Sequence, residues 1–428
     1  MERAPFEGRR PFLGEAGSRP LFQKQSTVMT ENKVSRRAII VLAALWLGQF
    51  SHSLAASSYR VILPLIMDGL KLTYTEAGLI GSLESTVYML MQVPSGYVVD
   101  RYGARKTITL GVLGSAIGNI LFGFSTNFSQ ALLCRLLVGL ALAFIFVPGH
   151  KAIVDWFPPR RRGMAMGFFA GGGAGMSVAS VLSPFLALTY SWGLAIIILS
   201  LLGFFAAAFL WISIVENSPG AGREKARRWK GDLLIRLIRS KIGIVLMAIQ
   251  FIRGALMQAP NLWLVTFLFT DRDFSLPLAG LVMAVFSVLS IPSGVVGGGW
   301  SDRMESRMSI SILSSAMLTV GFTALSLVHD RIALWVLIVV IGWFVVLHRP
   351  ALFALVPELY GEESAGIGIG LHNTIANLGA VIFTFLMGLL RDLTGSFEIG
   401  WLILGVLSAI SLILSLWMRN PKSENGNG

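Results

Sequence analysis

The stretch Gly96-Tyr-Val-Val-Asp100-Arg101 returns in the second half of the chain as Gly298-Gly-Trp-Ser-Asp302-Arg303. Each copy ends a long apolar run. Polar residues of an earlier apolar run also return, in the same order and at one constant offset: Gln49, His52, Ser57 and Arg60 correspond to Gln250, Arg253, Gln258 and Asn261. Polar positions kept in two otherwise apolar halves predict a duplicated membrane unit with a binding site between the halves.

Composition predicts a membrane protein. Of its 428 residues, 54% are hydrophobic and only 14% are charged, whereas a soluble protein has about 25% charged residues. Apolar runs long enough to cross roughly 30 Å of hydrocarbon recur along the chain. They predict an all-α membrane protein with twelve transmembrane helices in two six-helix bundles, related by a pseudo-twofold axis. The spans are predicted at 38–66, 75–97, 107–125, 130–152, 163–187, 192–214, 242–269, 276–299, 308–328, 332–352, 365–390 and 397–418.

The net charge of +12 reports orientation in the membrane and not an affinity for nucleic acid. Of the 35 Lys and Arg residues, 28 fall on the side of the spans that holds both termini, and four fall on the other side. Three more lie inside spans: Arg60, Arg135 and Arg253. This asymmetry predicts that both termini are cytoplasmic. We expect a bacterial inner-membrane protein that is a monomer in the lipid bilayer.

The polar segments divide the chain into five parts. Residues 1–37 form a basic tail that we expect to be disordered, and 38–215 form the N-terminal bundle. Residues 216–241 are a basic cytoplasmic linker, 242–418 the C-terminal bundle, and 419–428 a second cytoplasmic tail. No signal peptide or extracellular domain is predicted.

The repeated motif suits the end of a membrane helix. Gly96 allows a neighbouring helix to come close. Asp100 ends its own helix and can accept hydrogen bonds from the free N–H groups at another helix's N-terminus. Gly103 permits a tight turn, and Arg105 and Lys106 hold the loop on the inner side.

On these residues the chain resembles the Major Facilitator Superfamily. The hallmark between the second and third helices of that family matches Gly96, Asp100, Arg101, Gly103, Arg105 and Lys106. A second motif, Arg135-x-x-x-Gly139, and the segment Trp156-Phe157-Pro158 are also similar, and the resemblance covers roughly residues 38–418. It implies alternating access, with a gate formed by Asp100, Arg101, Arg105, Asp302 and Arg303. The alternative is that these charges only cap helix ends and fix orientation.

The polar residues of the first and seventh spans fall on one helix face at about 100° per residue. A polar face inside a membrane must point at water or protein. Arg253 lies about 18 Å from Lys241 at ~1.5 Å per residue, near the bilayer centre. A guanidinium there could bind an anionic substrate with help from Arg60, or it could form a structural ion pair with Glu84.

Glu84 is also near the bilayer centre, on one stripe with Tyr88 and Gln92. A carboxyl group in this setting can load and unload a proton, which makes Glu84 the candidate proton carrier and His52 the second candidate. Equally, Glu84 could be a permanent partner of Arg253 or Arg60. The full set predicted to bind substrate is Gln49, His52, Arg60, Tyr88, Gln250, Arg253, Gln258, Asn261, Asn373 and Asn377. The last two residues could instead join helices, and His348-Arg349 is expected near a gate.

These features predict a secondary active transporter that moves a small organic anion together with protons. The chain has no nucleotide-binding motif, no metal site or cofactor is expected, and nothing resembles an enzyme's catalytic cluster. Two alternatives stay open. One is a proton-coupled exporter of drugs or metabolites, although the Gly-Pro motif of such exporters is missing around Pro184. The other is a membrane receptor or sensor that moves no solute.

Overall fold

The computed structural model describes residues 34–215, 240–304, 306–360 and 365–419. Most of the predicted tails and linker lie outside these residues. Nearly all described residues are helical. The helices of the first half are α1 (Arg36–Val61), α2 (Leu63–Leu70), α3 (Tyr74–Tyr102), α4 (Ala104–Gly123), α5 (Phe128–Trp156), α6 (Pro159–Ala170), α7 (Gly175–Thr189), α8 (Trp192–Ser200) and α9 (Leu202–Ser213).

The second half repeats this plan. Its helices are α10 (Lys241–Asp271), α11 (Leu276–Arg303), α12 (Met308–Leu327), α13 (Arg331–Leu347), α14 (Arg349–Tyr360), α15 (Ala365–Thr394) and α16 (Glu398–Arg419). Eleven helical segments in the described residues are long and apolar enough to cross a membrane. The predicted second span falls on α3, which has 29 residues but carries more polar side chains, Glu84 among them. The count of twelve spans therefore stays a prediction.

Among the breaks within the predicted spans, two lie near the polar residues. A 3₁₀ turn, Gly171–Ala174, separates α6 from α7, because a run of glycines gives little helix stability. His348 separates α13 from α14, and Pro350 is the second residue of α14. Proline lacks an N–H group, so it cannot continue the backbone hydrogen-bond ladder of α13. At this break His348 is buried, whereas Arg349 is exposed.

Small residues set the close packing of helices within each half. Ser311 and Ser315 of α12 form hydrogen bonds of 2.9 and 3.1 Å with Ser415 and Ser411 of α16. Gly254 of α10 lies against the backbone carbonyl of Ala376 in α15. Short side chains allow such helix contacts in a membrane, where a hydrophobic driving force between helices is missing.

We call the end of the bundle where α1 begins the inner end, and the opposite end the outer end. The two halves meet at the outer end, where α3 packs along α15 and α7 along α11. Asp392 of α15 accepts hydrogen bonds from Tyr74 and Thr75 of α3, and Gly280 of α11 lies against the carbonyl of Ser180 in α7.

At the inner end, the ion pairs among the described residues each stay within one half. Asp100 pairs with Lys151, and Arg307 pairs with Asp302 and with Glu358. The described contacts between the halves thus lie at the outer end, whereas the described ion pairs at the inner end stay within one half, a pattern that fits an inward-open arrangement.

Candidate functional site

The N-terminal half holds a buried network of charged and polar groups around Glu84. Arg135 donates to one oxygen of Glu84, Oε2, from Nε at 3.1 Å and from Nη2 at 2.6 Å. Arg60 reaches the other oxygen, Oε1, at 3.4 Å. Side-chain exposure is 0% for Arg135, 3% for Glu84 and 17% for Arg60. Arg135 therefore neutralises Glu84, and Arg60 remains as a cation that solvent can reach.

The same network extends to His52. Arg135 donates to Asn119 at 2.8 Å, and its guanidinium carbon lies 3.8 Å from the centre of the Tyr59 ring. Asn119 in turn donates to the carbonyl of Ser115, whose hydroxyl lies 2.7 Å from Nδ1 of His52. His52 is thus buried behind the network, bonded to a hydroxyl, and does not contact Glu84 directly.

The C-terminal half holds a cluster of basic groups around Arg253. Arg253 is 5% exposed and donates to Oε1 of Gln250 at 2.6 Å. Its guanidinium carbon lies 5.3 Å from the centre of the Phe353 ring, and that of Arg349 lies 5.8 Å from the same centre. His348 is buried beside Arg253.

No carboxylate among the described residues pairs with Arg253. The predicted alternative, an ion pair between Arg253 and Glu84, is absent from this part of the chain, because Arg135 and Arg60 occupy both oxygens of Glu84. Gln250 is fully buried, and its Nε2 has no hydrogen-bond partner. A permanently charged guanidinium and an unsatisfied amide donor side by side form an environment that favours an anion.

The other predicted substrate residues lie on α1, α3, α10 and α15 and make fewer contacts. Tyr88 is half-buried in α3, and its ring lies 6.4 Å from the Phe146 ring, centre to centre. Asn261 donates to its own helix, at the carbonyl of Met257, at 2.8 Å. The remaining residues are half-buried: Gln49, Gln258, Asn373 and Asn377. Gln49 packs against Gly172 of the 3₁₀ turn, where an added Cβ would lie 2.8 Å from the Gln49 side chain.

The predicted gating residues lie at the inner end and are largely exposed. The side chains of Asp100 and Asp302 are 68% and 72% exposed. The hydrogen bond from Arg307 to Glu358, and a second one to Asp302, raise the pKa of Arg307. Arg307 thus pairs with the aspartate of the second motif copy.

The other cations of the two motif copies contact aromatic rings or solvent. The guanidinium carbon of Arg105 lies 4.1 Å from the centre of the Trp211 ring, and that of Arg101 lies 5.5 Å from the Tyr102 ring. Arg303 is exposed. The gating role of these residues stays a prediction, because the described ion pairs of Asp100 and Asp302 lie within their own halves.

Two site residues were not identified as such from the sequence. Arg135 was noted only as part of a family motif, and its pairing with Glu84 depends on where α3 and α5 cross. Arg349 was assigned to a gate near the membrane surface, yet the break at His348 brings it beside Phe353 and Arg253. The sequence signal for that break was Pro350.

The comparisons with known proteins agree with this architecture. The family model of the Major Facilitator Superfamily matches residues 45–384 and, in a second match, 246–428. The chain belongs to the Major Facilitator Superfamily. It is therefore a multi-pass integral membrane protein of a transporter superfamily. The overlapping second match fits the duplication read from the polar positions.

Individual members of the superfamily are similar over nearly the whole chain. The hexuronate transporter of Bacillus subtilis (strain 168) is 22% identical over 407 residues, covering 90% of this chain and 96% of the relative. The membrane sensor protein UhpC of Escherichia coli (strain K12) is also 22% identical, covering 96% and 99%.

Among solved structures, a bacterial homologue of the human lysosomal transporter Spinster has a TM-score of 0.74 with 15% identity. The match covers 89% of this chain and 96% of that one. That structure is described as inward-facing and occupied. The likeness shows the fold of this chain.

The described residues contain no group of three or more His, Cys, Asp or Glu side chains that could hold a metal ion.

Proposed function

We propose that this superfamily member is a secondary active transporter that moves a small organic anion by alternating access, coupled to protons. The observation that carries the proposal is the basic cluster formed by Arg253, Arg349 and His348. Two guanidinium groups share the Phe353 ring, and no carboxylate in the described residues neutralises either one. An anionic substrate would supply the missing charge.

The relatives support a carboxylate as the anion. A relative that covers most of this chain is a hexuronate transporter, whose substrate class carries a carboxylate group. Guanidinium groups bind carboxylates with two parallel hydrogen bonds, a geometry that the ammonium group of lysine cannot reproduce. A sugar acid also carries hydroxyl groups, which suit the amides of Gln258, Asn261, Asn373 and Asn377.

Glu84 is the proposed site of proton coupling. Arg135 holds Oε2 with two hydrogen bonds, whereas Arg60 holds Oε1 only at 3.4 Å. A substrate carboxylate that draws Arg60 away would leave Glu84 with one cationic partner, which favours proton uptake. We propose that substrate and proton are coupled through this exchange of partners.

The test is uptake of radiolabelled glucuronate by proteoliposomes with an imposed inward proton gradient. Arg253→Lys is expected to abolish uptake while the protein remains folded. Lysine keeps the positive charge but cannot donate the two parallel hydrogen bonds of a guanidinium group. Arg331→Lys is the matched control, because Arg331 is exposed at the outer end of α13. Uptake by Arg253→Lys at the rate of the parent protein would refute the proposal that the Arg253 guanidinium binds the substrate carboxylate.

Glu84→Gln separates coupling from binding. We expect this variant to exchange substrate across the membrane without a gradient but to lose accumulation against one. If Glu84→Gln still accumulates substrate when a proton gradient is imposed, the proton site lies elsewhere in the protein.

A sensor that does not transport is the second candidate, because a relative that covers 96% of the chain is a membrane sensor protein. A sensor would bind glucuronate in a thermal-shift assay, since a ligand that binds only the folded state stabilises it. The same protein would move no glucuronate into proteoliposomes. The two assays together distinguish the candidates.

We also propose the predicted topology: twelve spans including α3, both termini cytoplasmic, and a monomer in the bacterial inner membrane. The excess of Lys and Arg on the side of the termini supports this orientation. Fusions of green fluorescent protein after Arg419 and in the turn at Asn127 test it, because this reporter fluoresces in the cytoplasm but not after export through the Sec pathway. We expect fluorescence from the fusion after Arg419 and none from the fusion at Asn127.

A further inference from the structure

The two halves are joined at the outer end by the side chain of Asp392, in the last turn of α15. Its Oδ1 accepts a hydrogen bond from the backbone N–H of Tyr74 at 3.1 Å. Its Oδ2 accepts from the N–H of Thr75 at 2.6 Å and from the Thr75 hydroxyl at 2.5 Å. A carboxylate of the C-terminal half therefore caps the first turn of α3 in the N-terminal half.

The local sequence of α3 leaves these two N–H groups available. The first turn of a helix has N–H groups without partners inside the helix. Thr73 and Glu76 satisfy two of them reciprocally: Glu76 accepts from the Thr73 N–H at 2.9 Å, and the Thr73 hydroxyl accepts from the Glu76 N–H at 3.1 Å. The N–H groups of Tyr74 and Thr75 lie between those of Thr73 and Glu76, and Asp392 accepts a hydrogen bond from each of them.

Groups of the C-terminal half surround the same helix end. The Tyr74 ring lies 5.5 Å from the Phe397 ring and 6.1 Å from the Trp263 ring, centre to centre. Arg391 places its guanidinium carbon 5.0 Å from the centre of the Tyr74 ring and pairs with Asp271 at 2.9 Å. The start of α3 is thus surrounded by side chains of the C-terminal half.

We propose that Asp392 is the outer gate residue of the transport cycle: it stabilises the inward-open state and releases α3 when the outer end opens. The contact suits a reversible gate because it lies at the exposed rim of the bundle. When the halves separate, water can bond both the carboxylate and the two N–H groups, so release leaves no buried group unsatisfied.

The helices α3 and α15 run antiparallel, which gives the gate an inner counterpart. Asp392 ends α15 at the outer end and caps the start of α3. Asp100 ends α3 at the inner end, where α15 begins. In the inward-open state Asp392 is engaged with the opposite half, whereas Asp100 pairs with Lys151 of its own half. Each aspartate would cap the partner helix in only one of the two states.

The inference concerns the balance between two conformations and is independent of the solute. It can be tested by distance measurements between spin labels in liposomes without substrate. Labels at Ser129 and Ser275, which are exposed on opposite halves of the outer end, report outer opening. Labels at Lys106 and Met304 report the inner end. The single native cysteine, Cys134, is replaced by Ser.

Asp392→Ala is expected to raise the ratio of outward-open to inward-open molecules about tenfold, as loss of charge-assisted hydrogen bonds predicts. The outer distance should lengthen and the inner distance shorten together. Asp392→Asn, which keeps one acceptor oxygen, should shift the ratio less. Asp100→Ala should shift it in the opposite direction, because it weakens the alternative state.

Asp330→Ala is the matched control. Asp330 also caps a helix at the outer end, through a 2.8 Å bond from the Ala333 N–H, but helix and cap belong to the same half. It should leave the distance distributions unchanged. The inference is overturned if Asp392→Ala keeps the parent distributions, or if Asp330→Ala shifts them equally. Failure of glucuronate uptake in the parent protein would contradict the proposed function and leave this test intact.

Discussion

The pairing of Arg135 with Glu84 predicts a large and strongly coupled effect on stability. Arg135→Met removes two hydrogen bonds to Glu84 and one to Asn119 from a site with no solvent exposure. Breaking a buried ion pair by removing one partner costs about 3–5 kcal/mol. We expect Arg135→Met to lower the free energy of unfolding by about 3 kcal/mol, at the low end of this range. The reason is that Arg60 remains 3.4 Å from the other oxygen of Glu84.

Glu84→Leu should be similarly costly, since it leaves Arg135 charged and buried. The double variant, Arg135→Met with Glu84→Leu, should cost far less than the sum of the single variants. Replacing both members of a buried pair by apolar residues is often close to neutral. The carbonyl oxygen of the Asn119 side chain loses its donor in the double variant, at a cost of about 1–3 kcal/mol. With about 3 kcal/mol for each single variant and about 1–3 kcal/mol for the double variant, the coupling energy of the pair is expected to be about 3–5 kcal/mol.

The assay is reversible unfolding in mixed micelles, with the free energy of unfolding measured for the parent, both single variants and the double variant. Arg331→Met, at an exposed arginine, is the control and should change the free energy little. Additive costs, with a coupling energy below about 0.5 kcal/mol, would refute the reasoning that the two residues form one buried unit.

Two further predictions concern the gate and the basic cluster. Gly280→Ala should disfavour the inward-open state, because its methyl group would meet the backbone carbonyl of Ser180; Gly299→Ala, which has open space, should not. Spin-label distances check this pair, and equal distributions would contradict it. Arg349→Gln should raise the KM for glucuronate by about tenfold through loss of a charged hydrogen bond. Tyr88→Phe should raise it less, and a parental KM for Arg349→Gln would place the anion elsewhere.

The helices were largely predictable because membrane helices depend on local composition. The predicted spans 276–299 and 308–328 correspond to α11 and α12, which begin at the predicted residues. The first span was predicted at 38–66, whereas α1 ends at Val61 and α2 continues the path to Leu70. Pro64, at the start of α2, explains the interruption.

The partners of the charged residues were not predictable to the same degree. The sequence placed Glu84 and Arg253 near the middle of the membrane and Arg60 toward the outer end of the first span, and it left their pairing open. Pairing depends on how α3, α5 and α10 cross, and a difference of one helix turn changes which charges meet. The structure pairs Glu84 with Arg135 and leaves Arg253 beside Arg349 and Gln250.

The sequence by itself determined the membrane location, the duplicated plan and the polar positions, because hydropathy and repeat spacing are properties of the linear chain. Only the tertiary structure decided which end of the bundle is closed and which side chain closes it. Asp392 and Thr75 are far apart in the sequence, and no periodic pattern links them. They meet because two antiparallel helices from different halves cross at the outer end, a contact that exists only once both bundles have folded and docked.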